Sequence, residues 1–214
     1  MHIKSIYLSF KNLKGYYFIP VIVVLVFLPI LAIGITYMVG DVEGSRILVF
    51  REIEKFIPLL SIWWIVFIFK EYVEGDGNEL LYCVGGSSKV KLTQVLLAFF
   101  WYVAHIGVLF LGYSIFWDNI FLEFLKIVIQ CFFFTSSFYM LIYTLKSTTI
   151  SFMLLLVYKL FALFTNSEIA NYISVFEKGE HINLSIITTK YLIVLMAAFF
   201  FLILGVRKNK RFYY

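Results

Sequence analysis

Charged residues are scarce in this chain, since Asp, Glu, Lys and Arg make up 14% of its 214 residues, against about 25% in soluble domains. Hydrophobic residues account for 62%, and the mean hydropathy is +0.93. With only 3 Pro and 12 Gly, the chain is neither disordered nor collagen-like. The two cysteines, Cys83 and Cys131, exclude a disulfide framework, and neither has a Cys or His at metal-ligand spacing. The remaining class is an integral membrane protein.

Catalytic motifs are also missing from the sequence. Residues 85–89, GGSSK, contain glycine and lysine at the wrong spacing for a phosphate-binding loop, and neither H-E-x-x-H nor G-x-S-x-G occurs. The three histidines, His2, His105 and His181, are far apart in sequence. We therefore expect a protein that is not an enzyme and has no metal or cofactor site of its own.

Runs without charge locate the membrane spans. Those at 15–40, 92–117 and 127–145 contain 26, 26 and 19 residues, enough to cross about 30 Å of hydrocarbon as helices. Three further spans are expected at 56–69 and 191–206, which need basic ends that reach the interface, and at 147–167, which contains Lys159. Alternating strands typical of a barrel are absent, so the predicted fold is an all-α bundle of six transmembrane helices in a single domain, 1–214.

Basic residues are distributed unequally between the two sides of such a bundle. Eleven fall on the side of both termini, and six fall in the opposite loops, namely Arg46, Arg51, Lys55, Lys126, Lys178 and Lys190. The positive-inside rule then places both termini in the cytoplasm, and we expect the membrane to be a bacterial plasma membrane. The net charge of +5 reflects this topology and does not indicate a nucleic-acid partner.

The first fifteen residues have their own pattern. Apolar residues recur at helical spacing at Ile3, Ile6, Tyr7, Phe10 and Leu13. This predicts an amphipathic elbow helix at 1–15 that lies on membrane lipid, and the alternative is a frayed basic tail.

Two polar side chains fall inside predicted spans. Lys159 lies in the outer half of its span, where its ammonium can reach outward along the helix; the alternative is an ion pair or a polar translocation path. For His105 we favour a neutral ring bonded to a neighbouring helix over a proton relay.

Residues 70–91, KEYVEGDGNELLYCVGGSSKVK, form the most informative loop. Gly75 and Gly77 are expected to end one helix, Asp76 can cap a new one with Glu79 three residues later, and Gly85–Gly86 can end it. The new helix would expose four apolar side chains at the membrane surface, Leu80, Leu81, Tyr82 and Val84. Exposed apolar residues of this kind indicate a partner that covers them.

This loop resembles the cytoplasmic loop of the type-2 permease family of ATP-binding-cassette (ABC) exporters. The family pattern E-x-G-[TN]-x-E-x-L-L is matched loosely by Glu74, Gly77, Asn78, Glu79, Leu80 and Leu81, whereas residues 85–89 replace the usual proline and arginine. The resemblance implies that Asp76–Val84 is a coupling helix, and that its residues dock on a separate ATPase subunit that binds ATP and Mg²⁺.

The layout resembles the same family, which has an elbow helix, six spans and an outer segment before the last span. The family's outer segment is a re-entrant hairpin, so the resemblance implies one within 166–190; a surface loop with an amphipathic turn is the alternative. A second permease subunit, identical or related, would complete the pathway.

The expected cargo is hydrophobic or amphipathic, such as a peptide, lipid or drug, and antimicrobial peptide export or immunity is one such role. Two other functions stay open. The length also suits the six-span component of energy-coupling-factor vitamin importers, although the first span offers only Ala32 and Gly34 where that class uses A-x-x-x-A faces. An intramembrane enzyme would need clustered polar residues at membrane depth.

Overall fold

The structure is a computed structural model that describes residues 10–75, 88–165, 174–176 and 182–210. Within those ranges all regular structure is helical. The helices are α1 Lys14–Val39, α2 Val42–Leu60, α3 Trp63–Glu74, α4 Ser88–Tyr113, α5 Phe121–Leu145, α6 Thr148–Phe164 and α7 Leu184–Lys210. In this part of the chain, α1, α2 together with α3, α4, α5 and α7 are long and apolar enough to cross a membrane. The chain is thus an all-α, multi-pass membrane protein, as expected from its composition.

The connection between α1 and α2 differs from the expected loop. Gly40 ends α1 in the left-handed conformation, with φ of 69°, which glycine adopts without steric cost. Asp41 caps α2 by accepting a hydrogen bond from the Gly44 amide at 2.8 Å. Residues 42–55, predicted to lie in a loop because of their charges, are therefore helical. The run without charge begins only at residue 56, because the charged residues before it interrupt the run without interrupting the helix.

Helix α5 forms the centre of the bundle and packs against α2, α4, α6 and α7. In its most apolar stretch, 72% of the residues are buried inside the protein, against 22% for α1 and 17% for α7. The peripheral helices expose many large apolar side chains, as expected where lipid is the solvent.

A narrow stripe joins α7 to α5. The residues of α7 that are buried on it, Tyr191, Ala198, Gly205 and Asn209, recur at steps of seven, seven and four. The aromatic ring of Tyr139 on α5 lies against Gly205, where an added Cβ would be 2.5 Å from its Cδ1 atom. Small residues therefore allow the two helices to approach closely.

The start of α1 is held against α3. The indole nitrogens of Trp63 and Trp64 donate hydrogen bonds to the carbonyls of Tyr16 and Tyr17, each at 3.0 Å. Residues 10–12 are helical and precede Lys14, whose φ is 47°. Most of the predicted elbow helix, residues 1–9, lies outside the described residues.

Candidate functional site

The predicted coupling loop, 70–91, is helical at both ends: residues 70–74 belong to α3, which ends at Glu74, and residues 88–91 belong to α4. Most of its predicted docking residues lie outside the described residues: Asp76, Asn78, Glu79, Leu80, Leu81, Tyr82 and Val84. The structure therefore leaves the coupling helix a prediction and describes the two helices, α3 and α4, that flank it.

The carboxylate of Glu74 contacts the start of α6. Its Oε1 atom accepts hydrogen bonds from the Ser147 hydroxyl at 2.6 Å and from the amides of Thr148 and Thr149 at 2.7 and 3.3 Å. Ser147 in turn accepts a bond from the Ile150 amide at 3.2 Å. The first amides of a helix lack intrahelical partners and carry partial positive charge, so a carboxylate here stabilises α6. The end of the bundle that contains this contact is called the Glu74 end.

A buried polar cluster lies inside the bundle toward the opposite end, which is called the Arg46 end. Glu54 of α2 and Lys126 of α5 form an ion pair, and their side chains are only 3% and 5% exposed. Gln130, one turn further along α5, donates to Glu54 Oε1 at 3.1 Å. Closer to the surface, Arg46 pairs with Glu123 at 2.6 Å. Lys126, which the charge count placed in an outer loop, is therefore an interior residue.

Residues 174–176 insert into this cluster without forming a helix. Ser174, Val175 and Phe176 are each 3% exposed. The carbonyl of Val175 accepts hydrogen bonds from Gln130 Nε2 at 3.0 Å and from the Tyr191 hydroxyl at 3.1 Å. The rest of the predicted re-entrant segment described by the structure, 182–190, includes the start of α7.

Lys159 lies beside the same segment and is only 3% exposed. Its ammonium is 5.9 Å from the centre of the Phe176 ring, close enough for a cation–π interaction. Outward snorkelling is therefore wrong for the described structure, because the ammonium is enclosed by protein. Among the described residues Lys159 forms no ion pair, and its part in a polar translocation path stays a prediction.

His105 belongs to a different region. Its Nδ1 lies 2.8 Å from the Trp101 carbonyl in the same helix, and its ring packs against Trp64 and Trp101. The expected bond to a neighbouring helix is thus replaced by one within α4, and the structure brings Lys159, but not His105, into the polar cluster.

A groove of about 660 Å³ opens between α1 and α4 near the Arg46 end. Its lining, which includes Pro29, Ala32, Tyr37 and Phe116, contains no charged side chain. This groove is suited to an apolar chain, and it differs from the polar cluster in having no charged lining.

The sequence contains a signal for part of this cluster, in the helical spacing of its polar residues. Glu54 lies four residues after Phe50 and three before Ile57, so it shares the apolar face of α2. Lys126 and Gln130 are four residues apart and share a face of α5. Polar residues on a buried face of a membrane helix are typical of helix contacts or transport paths.

Comparisons with known proteins add no family to these observations. No family model, curated protein or solved structure matches the chain.

Proposed function

We propose that this chain is the transmembrane subunit of an ABC exporter, which moves a hydrophobic or amphipathic cargo and is driven by a separate ATPase subunit. The observation that carries the proposal is the loop motif from Glu74 to Leu81, which lies between two apolar helices. ATP and Mg²⁺ would be bound by the partner, and two permease subunits, identical or related, would line the pathway.

The proposed topology has six spans in a bacterial plasma membrane, with both termini in the cytoplasm. Helix α6, an apolar helix of 17 residues, would be the sixth span; at 1.5 Å per residue it is about 25 Å long, and local bilayer thinning accommodates such a length. The Glu74 end would then be cytoplasmic, and residues 166–190 would form an outer, re-entrant segment. An elbow helix would precede α1.

In the proposed mechanism, nucleotide binding closes the ATPase dimer and draws the two coupling helices together. Helices α3 and α4 continue from this loop into the bundle, so they would transmit the movement. Glu74 links the same loop to α6 through Ser147 and Thr148, so a third helix would follow. The cargo path would thereby change shape between the two sides of the membrane.

The test uses the double variant Leu80→Asp with Leu81→Asp, co-expressed with a candidate ABC ATPase subunit. Burial of each leucine in a partner groove is worth about 1.5–3 kcal/mol, so the variant should lose the ATPase on purification and lose stimulated ATP hydrolysis. The matched control is Phe212→Asp with Tyr213→Asp, which places two charges on the same proposed side and should keep both.

Glu79→Ala gives a graded version of the same test. It removes the carboxylate that completes the predicted cap at Asp76, a contribution of about 0.5–1 kcal/mol, so the complex should assemble while hydrolysis couples poorly to transport. A stoichiometric ATPase and normal turnover in the Leu80/Leu81 double variant would refute the docking role of this loop.

A further inference from the structure

The main chain of residues 174–176 is held by side chains from three helices. The Val175 amide donates to the Tyr158 hydroxyl of α6 at 3.2 Å. The Val175 carbonyl accepts from Gln130 of α5 and Tyr191 of α7. The next carbonyl, that of Phe176, accepts from Lys190 Nζ at 3.0 Å. One amide and two successive carbonyls are therefore recognised through groups that every peptide has.

The side chain of Phe176 adds an apolar contact to this recognition. Its ring centre lies 6.0 Å from that of Phe134 on α5, and Lys159 approaches the ring from α6. The ring belongs to the main apolar core. A pocket for one aromatic side chain thus lies beside the groups that hold the main chain.

We propose that these helix side chains form a peptide-binding site, which residues 174–176 occupy until a peptide cargo with an aromatic residue displaces them. This inference rests on the proposed function and names its cargo class. The receiving groups are Gln130, Phe134, Tyr158, Lys159, Lys190 and Tyr191.

The pattern of donors and acceptors distinguishes a peptide from other apolar cargo. The Tyr158 hydroxyl accepts a hydrogen bond from the Val175 amide, while Gln130 and Tyr191 donate hydrogen bonds to the Val175 carbonyl. A peptide offers both groups at this spacing, whereas the fatty acyl chain of a lipid offers neither. A drug-like molecule would satisfy the pattern only if it contained an amide of similar geometry. The site therefore selects the peptide backbone and one aromatic side chain.

A free peptide must compete with a segment of the same chain. A tethered ligand acts at an effective concentration in the millimolar range when its linker is short, so the unmodified protein should bind added peptide weakly. Removing the Phe176 ring should weaken the binding of the tethered segment and open the site to added peptide. Phe176→Ala is therefore the informative variant.

The experiment uses the full chain in phosphatidylethanolamine–phosphatidylglycerol nanodiscs and the peptide Ac-Ser-Val-Bpa-NH2, in which Bpa is p-benzoylphenylalanine. Light-induced labelling of Phe176→Ala should be saturable and exceed that of the unmodified protein by about tenfold or more, because the loss of a buried phenyl group weakens the tethered segment strongly. Cross-links should map near Phe134. Phe176→Leu, which perturbs folding less, should give an intermediate yield.

Two controls make the result specific. Gln130→Leu, added to Phe176→Ala, should abolish the gain, whereas Gln94→Leu should preserve it, because Gln94 is equally buried but contacts Tyr72 instead. An analogue with an ester oxygen in place of the valine N–H should compete about tenfold less well than Ac-Ser-Val-Phe-NH2, since it cannot donate to Tyr158.

Labelling that does not increase in either Phe176 variant would overturn the inference. So would labelling that is unchanged by Gln130→Leu, or an ester analogue that competes as well as Ac-Ser-Val-Phe-NH2. The assay needs no ATPase. Failure of labelling while Leu80→Asp with Leu81→Asp still removes the ATPase would refute the peptide site alone. Successful labelling by a chain that binds no ATPase would refute the exporter and leave a peptide-binding membrane protein.

Discussion

Helices α5 and α7 are alike in length and clearly apolar, yet their surroundings differ. Their 25 and 27 residues have peak hydropathies of 1.7 and 2.3, but 72% of that stretch is buried in α5 and only 17% in α7. The less hydrophobic helix is the interior one. In a bilayer the lipid tails are as apolar as leucine, so hydrophobicity does not draw a helix inward.

Polar residues account for the difference. Helix α5 buries Glu123, Lys126, Gln130 and Thr135, among others, and these need partners that lipid cannot supply. Helix α7 contacts α5 along its stripe, which is small at Ala198 and Gly205 and has one polar contact near each end: Gln130 to Tyr191, and Asn209 to Tyr139 at 2.9 Å. Polarity and small size therefore determine which faces turn inward.

The largest predicted effect comes from breaking the interior ion pair. Lys126→Met leaves Glu54 buried without its cationic partner, which should cost about 3–5 kcal/mol of unfolding free energy. Lys55→Met is the control, because it removes a pair with Glu52 that is 38% and 24% exposed and should cost about 0–1 kcal/mol. Steric-trapping measurements of unfolding in bicelles would give both values. Equal losses would show that the buried ion pair contributes no more to stability than the partly exposed one.

Much of this architecture could be predicted from the runs without charge, which indicate an all-α fold and the approximate centres of the apolar helices. The start of α2 could not, because Glu43, Arg46, Arg51 and Glu52 interrupt hydrophobicity without interrupting the helix. Charge counting assumes that a charged residue lies outside the membrane region. That assumption fails for Lys126, whose partner Glu54 is distant in sequence.

The candidate site was predictable only in part. Lys159 was identified as a polar residue within an apolar helix, but Gln130 and Tyr191 acquire their roles from the carbonyl of Val175, which no local pattern specifies. Such contacts depend on how three helices and a non-helical segment pack together. The predicted docking residues after Gly75 remain predictions.

A second, smaller effect is expected at the α5–α7 contact. Gly205→Ala places a Cβ 3.2 Å from the Met140 amide nitrogen and against the buried ring of Tyr139, so the helices must separate at a cost of about 1–3 kcal/mol. Gly34→Ala is the control, since a Cβ there meets nothing within 4 Å. The same unfolding measurement should show no loss for Gly34→Ala. A neutral Gly205→Ala would mean that α7 does not depend on close approach.

The smallest effect concerns a polar contact at the bundle's edge, where water can replace a lost partner. Glu74→Ala removes the carboxylate from the start of α6, and an exposed charge at a helix N-terminus contributes about 0.3–1 kcal/mol. Ser147 still caps Ile150, so α6 should remain folded with faster amide exchange confined to its first turn. Glu71→Ala, an exposed carboxylate one turn earlier in α3, should leave that exchange unchanged. Hydrogen exchange monitored by mass spectrometry would resolve the two. Loss of protection along the whole of α6 would contradict the prediction, because it would mean that this edge contact stabilises the protein as much as the interior ion pair does.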